Sequence, residues 1–253
     1  MKIGLDLRLY GIGSGGIGRY CSELFPRVLD LDRVNNYVLF GDAKNFSNQE
    51  MANLQKHSNV QFVHTKVRHY SFGEQTSFLR LLNKHNLDLV HFPNFNFPIF
   101  YKKPFVVTIH DMVHHKISGA KKSHYLHFLA YKKVIEQVGR LSQKIITVSN
   151  ASKKDIVSFL NIDAEKIKVI YEGASLKTEV LDSDVEKLKK NFVISKPYLL
   201  FVGVLERKKN IVNLTRGFDA FLKKYKIDMD LTKFFFSFST SESKTSVFNE
   251  APS

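Results

Sequence analysis

Over the first 173 positions, apolar residues come in short, nearly unbroken runs separated by stretches of helical spacing. Ile3, Leu5 and Leu7 fit a buried first strand. Cys21, Leu24, Phe25, Val28 and Leu29 recur on one face of a helix from Tyr20 to about Leu31. Further strand-sized runs lie at 37–40, 60–64, 87–92, 105–109, 144–148 and 166–171. Between them, Met51 and Leu54 have helical spacing, an amphipathic helix covers 72–86, and a long helix covers 123–142. Ser152, with Asp155 three residues on, reads as the capping box of a helix ending at Leu160. Strands apolar throughout and alternating with helices specify an α/β fold, a parallel sheet covered on both faces.

Past residue 178 the pattern restarts. A polar helix, Asp182 to Val193, falls within a linker at 179–196, and Pro197–Gly203 opens a new strand. A basic loop and a helix, Ile211 to Tyr225, follow, as in the first β–α unit of a second domain. The next strand of that unit is expected near Met229. The residues there, through Phe234, Phe235, Phe236 and Phe238 to a Ser/Thr-rich end, have neither period. Residues 226–253 are therefore expected to be an aberrant, disordered tail, left by a truncation or a frameshift.

Ligands of parallel sheets sit beyond the carboxyl ends of the strands. Those ends carry the loop Gly13-Ser14-Gly15-Gly16-Ile17-Gly18, then Asn94, His110-Asp111, Ser149 and Glu172-Gly173. A glycine loop running into a helix presents bare amides to an anion. In the second unit, Gly203 ends a strand, and Arg207, Lys208, Lys209 and Asn210 precede a helix, a cradle for a diphosphate.

The net charge of +14 points to an acidic partner, although the lysines are spread along the chain. A single cysteine excludes a disulfide framework and suggests a reducing compartment. Asp6 and Arg8 interrupt any signal-peptide core, and no apolar run is long enough to span a bilayer. A cytoplasmic protein is expected, with peripheral contact to the anionic inner face of the plasma membrane.

The chain resembles the family 4 (group 1) glycosyltransferases of the GT-B fold. The resemblance is carried in order by Gly15–Tyr20, Val90–Pro93, Val107–Asp111, Thr147–Asp155, Val169–Gly173, and Phe201–Gly203 with Glu206 and Lys209-Asn210. It implies two Rossmann-like domains, an acceptor-side domain at 1–178 and a donor-side domain of which 197–225 is the start. It also implies transfer of a hexosyl group, mannosyl or related, with retention, from a nucleotide-diphosphate sugar to a glycan or lipid-linked acceptor in cell-surface polysaccharide or glycolipid synthesis. No metal or other cofactor is implied. Gly15, Gly16 and Gly18 would lie near the donor phosphate, His110 would contact the donor sugar, and Lys208 and Lys209 would neutralise the leaving diphosphate. Val204 stands where many relatives carry arginine, and the paired glutamates of the donor site are missing, so the chain alone is expected to be inactive.

Three other readings compete. Gly13-x-Gly15-x-x-Gly18 with Asp42 matches a dinucleotide fingerprint, although Arg8 to Ile12 separate it from its strand. This would make the chain a nicotinamide or flavin oxidoreductase. Zinc on His110, His114 and His115 lacks supporting ligand spacing. Nucleic-acid binding rests on charge alone, without a recognised motif or an aromatic platform.

Overall fold

A computed structural model describes residues 1–113, 125–173, 181–192, 195–203, 209–235 and 246–247, in two units, Met1–Gly173 and Ala174–Ser253. In the first unit the strands are β1 (Lys2–Asp6), β2 (Asn36–Gly41), β3 (Val60–His64), β4 (Leu89–Phe92), β5 (Phe105–Thr108), β6 (Lys144–Thr147) and β7 (Ile167–Val169). They form one parallel sheet in the order β3-β2-β1-β4-β5-β6-β7. All seven apolar runs are strands, and the Rossmann-like sheet implied by the resemblance is present.

The helices are α1 (Gly15–Leu31), α2 (Asn48–Gln55), α3 (Leu79–Lys84, preceded by a π-helical stretch at Glu74–Phe78), α4 (Tyr125–Leu141) and α5 (Asn150–Leu160). Two cores flank the sheet, and β2 shows why. Tyr37 and Leu39 point into one core with Cys21, Phe25 and Leu29 of α1, while Val38 and Phe40 point into the other with Leu82, Val138 and Ile156. That alternation is the two-residue period of a strand buried on both sides.

Two helix starts differ from expectation. α1 begins five residues before Tyr20, because the glycines themselves wind into its first turn. α5 begins at Asn150 and is capped by Ser149, whose Oγ accepts from Ser152 N at 3.0 Å, instead of by Ser152 with Asp155. Ser149 has the extended backbone that capping needs, whereas Ser152 already lies in the first turn. The capping box of this unit belongs to α2, with Ser47 and Glu50.

The second unit contains α6 (Asp182–Asn191), β8 (Tyr198–Gly203), α7 (Ile211–Tyr225), β9 (Asp230–Phe235) and a short β10 (Ser246–Val247). β9 lies parallel to β8 in a register running from Tyr198↔Asp230 to Gly203↔Phe235. The expectation of a structureless stretch past Met229 is corrected here. Aromatic residues favour strands, and a β–α–β unit offers an open edge for pairing. The rest of that expectation, at 236–245 and 248–253, lies outside the described residues.

Candidate functional site

β1 to β3 progress one way across the sheet and β4 to β7 the other, so the switch point lies between β1 and β4. In sheets of this kind ligands bind at that point, beyond the carboxyl ends of the strands. β1 ends at Asp6, and the chain then runs through a loop into α1. Gly15 holds a left-handed φ of +63°, and Ser14 caps the helix without a side-chain hydrogen bond. A Cβ at Gly18 would come within 1.9 Å of the Gly11 carbonyl, so only glycine lets helix and loop meet. A Cβ at Gly16 would meet nothing within 4 Å. The helix start is therefore uncapped by any side chain, free of acidic residues in its first turn, and open beside Gly16.

His110 follows β5 and is fixed from three sides. Its Nε2 lies 3.0 Å from the Pro93 carbonyl, and its ring stands edge-on to Tyr20 of α1 at 4.8 Å. Its Nδ1 lies 3.6 Å from Glu172 Oε1 beyond β7. A carbonyl only accepts, so Nε2 donates to Pro93. The main chain is held as well, since Ser152 Oγ donates to the His110 carbonyl at 2.9 Å and Ser149 Oγ donates to Ser152 Oγ. Ser149 thus joins the site as a cap and a positioning group.

Asp111 does not pair with His110. It is exposed, and its Oδ1 accepts from Val113 N at 3.0 Å. The carboxylate facing the imidazole comes instead from Glu172, 62 positions later in the chain.

Asn94 is buried, and its Nδ2 donates to Asn96 Oδ1 at 2.9 Å and to Tyr70 Oη at 3.0 Å. Beneath it lies an ion cluster that sequence reasoning missed. Arg8 reaches Asp6 through Nε at 2.9 Å and Nη2 at 2.7 Å, and Glu74 Oε1 through Nη2 at 2.7 Å. Glu74 in turn accepts from Asn96 Nδ2 and from the amide of Tyr70, which has a left-handed φ of 57°. Burial works to lower the Arg8 pKa, but Asp6 and then Glu74 outweigh it and the net shift is upward. Its one visible signal was a pair of charged residues, Asp6 and Arg8, in an otherwise apolar run.

His91 of β4 is buried behind this cluster. Its Nε2 lies 2.9 Å from Thr108 Oγ1, which lies 3.3 Å from Tyr20 Oη. Desolvation pushes the His91 pKa down to about 4, with Asp6 opposing and His110 assisting, so the ring is neutral at neutral pH. One chain of contacts therefore runs from β4 through β5 to α1 and His110.

Other predicted residues belong to the second unit. Gly203 ends β8, and Lys209 and Asn210 precede α7, with Asn210 at a left-handed φ of 54°. Arg207 and Lys208 lie outside the described residues, as do His114 and His115 of the zinc reading. Asp42, the acidic member of the dinucleotide fingerprint, has a local role: its Oδ1 accepts from Lys44 N at 3.1 Å. No helix among the described residues is long and apolar enough to cross a membrane.

Comparison with known proteins bears on the same rim. An uncharacterized glycosyltransferase of Methanocaldococcus jannaschii is 28% identical over 144 residues, covering 54% of this chain and 36% of that protein. Anabaena HepE, solved with UDP and glucose, matches in fold with a TM-score of 0.51 at 17% identity, covering 80% of this chain and 52% of that one. S. aureus MnaA, solved with UDP, gives 0.51 at 12% identity, covering 93% and 62%. The chain therefore spans between 36% and 62% of the length of these relatives. The model of Glycosyltransferase Family 4 matches residues 14–178, from the cap of α1 past Glu172. On that match the chain belongs to glycosyltransferase family 4.

Proposed function

We propose that the first unit supplies the acceptor-side half of a retaining glycosyltransferase. The reaction moves a hexosyl group, mannosyl or a close relative, from a nucleotide-diphosphate sugar to a glycan or lipid-linked acceptor, in the synthesis of cell-surface polysaccharide or glycolipid. The observation that carries this reading is His110, held by the Pro93 carbonyl and Tyr20 beside the uncapped start of α1. As the bond from the anomeric carbon to the diphosphate breaks, negative charge grows on the leaving oxygen. Amides already aimed at that position stabilise it without reorganising. In this reading the His110 ring, with Glu172 beside it, contacts the donor sugar and helps fix the reacting carbon. In this reading the nucleotide sugar needs no cofactor beside it.

A thermal-shift titration of the chain against nucleotide sugars and NAD(H) tests the reading. One nucleotide sugar should stabilise the protein by about 2.7 kcal/mol at a hundredfold excess over Kd. His110→Ala should abolish that response. Stabilisation by NAD(H) and by no nucleotide sugar would overturn the proposal in favour of an oxidoreductase.

A further inference from the structure

Between β3 and α3 the chain holds an aromatic ring at the surface in a conformation that tyrosine seldom adopts. Tyr70 has a left-handed φ of 57°, and it is 61% exposed. Strain of this kind persists only where the surroundings impose it, and it collects at functional sites. Two hydrogen bonds impose it here. Glu74 Oε2 accepts from the Tyr70 amide at 3.1 Å, and Asn94 Nδ2 donates to the Tyr70 hydroxyl at 3.0 Å. Glu74 lies in the π-helical stretch, a rare geometry common at functional sites, and Arg8 and Asn96 hold its other oxygen. A strained residue, a π-helical turn and a buried ion pair thus converge on one ring that the core does not use.

The ring's position gives it a role. Asn94 directly follows Pro93, whose carbonyl accepts from His110 Nε2, so the anchor of Tyr70 adjoins the anchor of His110. The Tyr70 hydroxyl is tied inward to a buried amide, which leaves the ring to meet solvent. His69 stands edge-on to that ring at 5.2 Å, and Phe95 lies tilted to it at 5.8 Å. An aromatic face held this firmly suits a pyranose, which offers an apolar C–H face while its hydroxyls stay in water. The adjoining residues Arg68, His69 and Ser71 are polar, which suits those hydroxyls better than an alkyl chain.

We infer that Tyr70 is a stacking platform for a sugar ring of the acceptor and helps to set which acceptor is used. The inference rests on the transferase reading in calling that sugar the acceptor.

The test is saturation-transfer NMR on the whole chain. The probes are methyl glycosides of mannose, glucose, galactose and N-acetylglucosamine, and octyl glucoside below its micelle concentration. At least one glycoside should receive saturation, strongest at the C–H protons of one ring face. Tyr70→Asn installs a residue at ease in the left-handed region and removes the ring, so binding should weaken on the order of tenfold. The same variant should melt close to the wild-type temperature or above it, because relief of strain offsets the lost ring contacts. Tyr70→Phe keeps the ring and should bind nearly as well as wild type. Five results would each overturn the inference: no saturation of any sugar, transfer to the octyl chain alone, unchanged binding by Tyr70→Asn, equal losses in both variants, or a melt of Tyr70→Asn as low as that of a core truncation. The nucleotide-sugar titration separates this inference from the reading beneath it. Glycoside binding that depends on Tyr70, with no response to any nucleotide sugar, would strike the transferase reading and keep the stacking site. A nucleotide-sugar response without glycoside binding would do the reverse.

Discussion

Replacing Arg8 by methionine removes the cation from the buried cluster while keeping a side chain of similar length against Phe78, over whose ring the guanidinium now sits at 3.7 Å. The Asp6 and Glu74 carboxylates are both within 2.7 Å of the same Arg8 nitrogen, so their nearest oxygens are at most twice that distance apart. Two like charges at about 5 Å repel by roughly 3 kcal/mol at an effective dielectric constant near 20. Arg8→Met should therefore destabilise the first unit by about 3–5 kcal/mol, the usual cost of stranding buried charge. Urea denaturation followed by circular dichroism reads this as a lower midpoint at unchanged slope. Adding Glu74→Gln to Arg8→Met should restore about 1–3 kcal/mol, because the repulsion goes while the amide still pairs with Asn96. If Arg8→Met unfolds within 1 kcal/mol of wild type, or if the second substitution restores nothing, then charge balance does not hold this rim together.

Other outcomes follow from single contacts. The folded protein keeps His91 neutral down to about pH 4, whereas an unfolded histidine takes its proton near 6.5. Stability on this account is complete above pH 6.5 and is lost as pH falls toward 4, by about 1.4 kcal/mol per pH unit and about 3 kcal/mol in all. His91→Asn should flatten that part of the stability–pH curve, and an equal slope in wild type and variant would refute the assignment. Gly18→Ala forces a Cβ against the Gly11 carbonyl and should cost about 2–3 kcal/mol, whereas Gly16→Ala meets only open space and should raise the melting temperature slightly. Reversal of that order in a thermal melt would contradict the packing of loop against helix. The Cys21 thiol is fully buried, and burial drives its pKa far up. It should resist a thiol reagent in native buffer and react fully in urea, and rapid native labelling would show that α1 opens.

How much was legible in advance follows the range of the forces involved. Strand and helix positions depend on residues a few places apart, so Ile3-Leu5-Leu7 or Phe105–Ile109 declare themselves by composition and period. The rim could also be anticipated, because a parallel sheet gathers its strand ends on one side. This is why His110 and Glu172, distant in sequence, could both be assigned there. The strand at Asp230–Phe235 was missed because its partner β8, and not its own pattern, supplies the hydrogen bonds.

What the chain alone determined is therefore the order of the strands and helices of the first unit, their parallel arrangement, and the side of the sheet on which chemistry collects. Tertiary structure decided the rest. It set Glu74 of the π-helical stretch against Arg8 and drove His91 to neutrality by desolvation. It gave His110 a glutamate from beyond β7 in place of its neighbour Asp111. Each of those outcomes depends on distance and dielectric between residues far apart in sequence, and neither quantity exists until the sheet has closed its two cores.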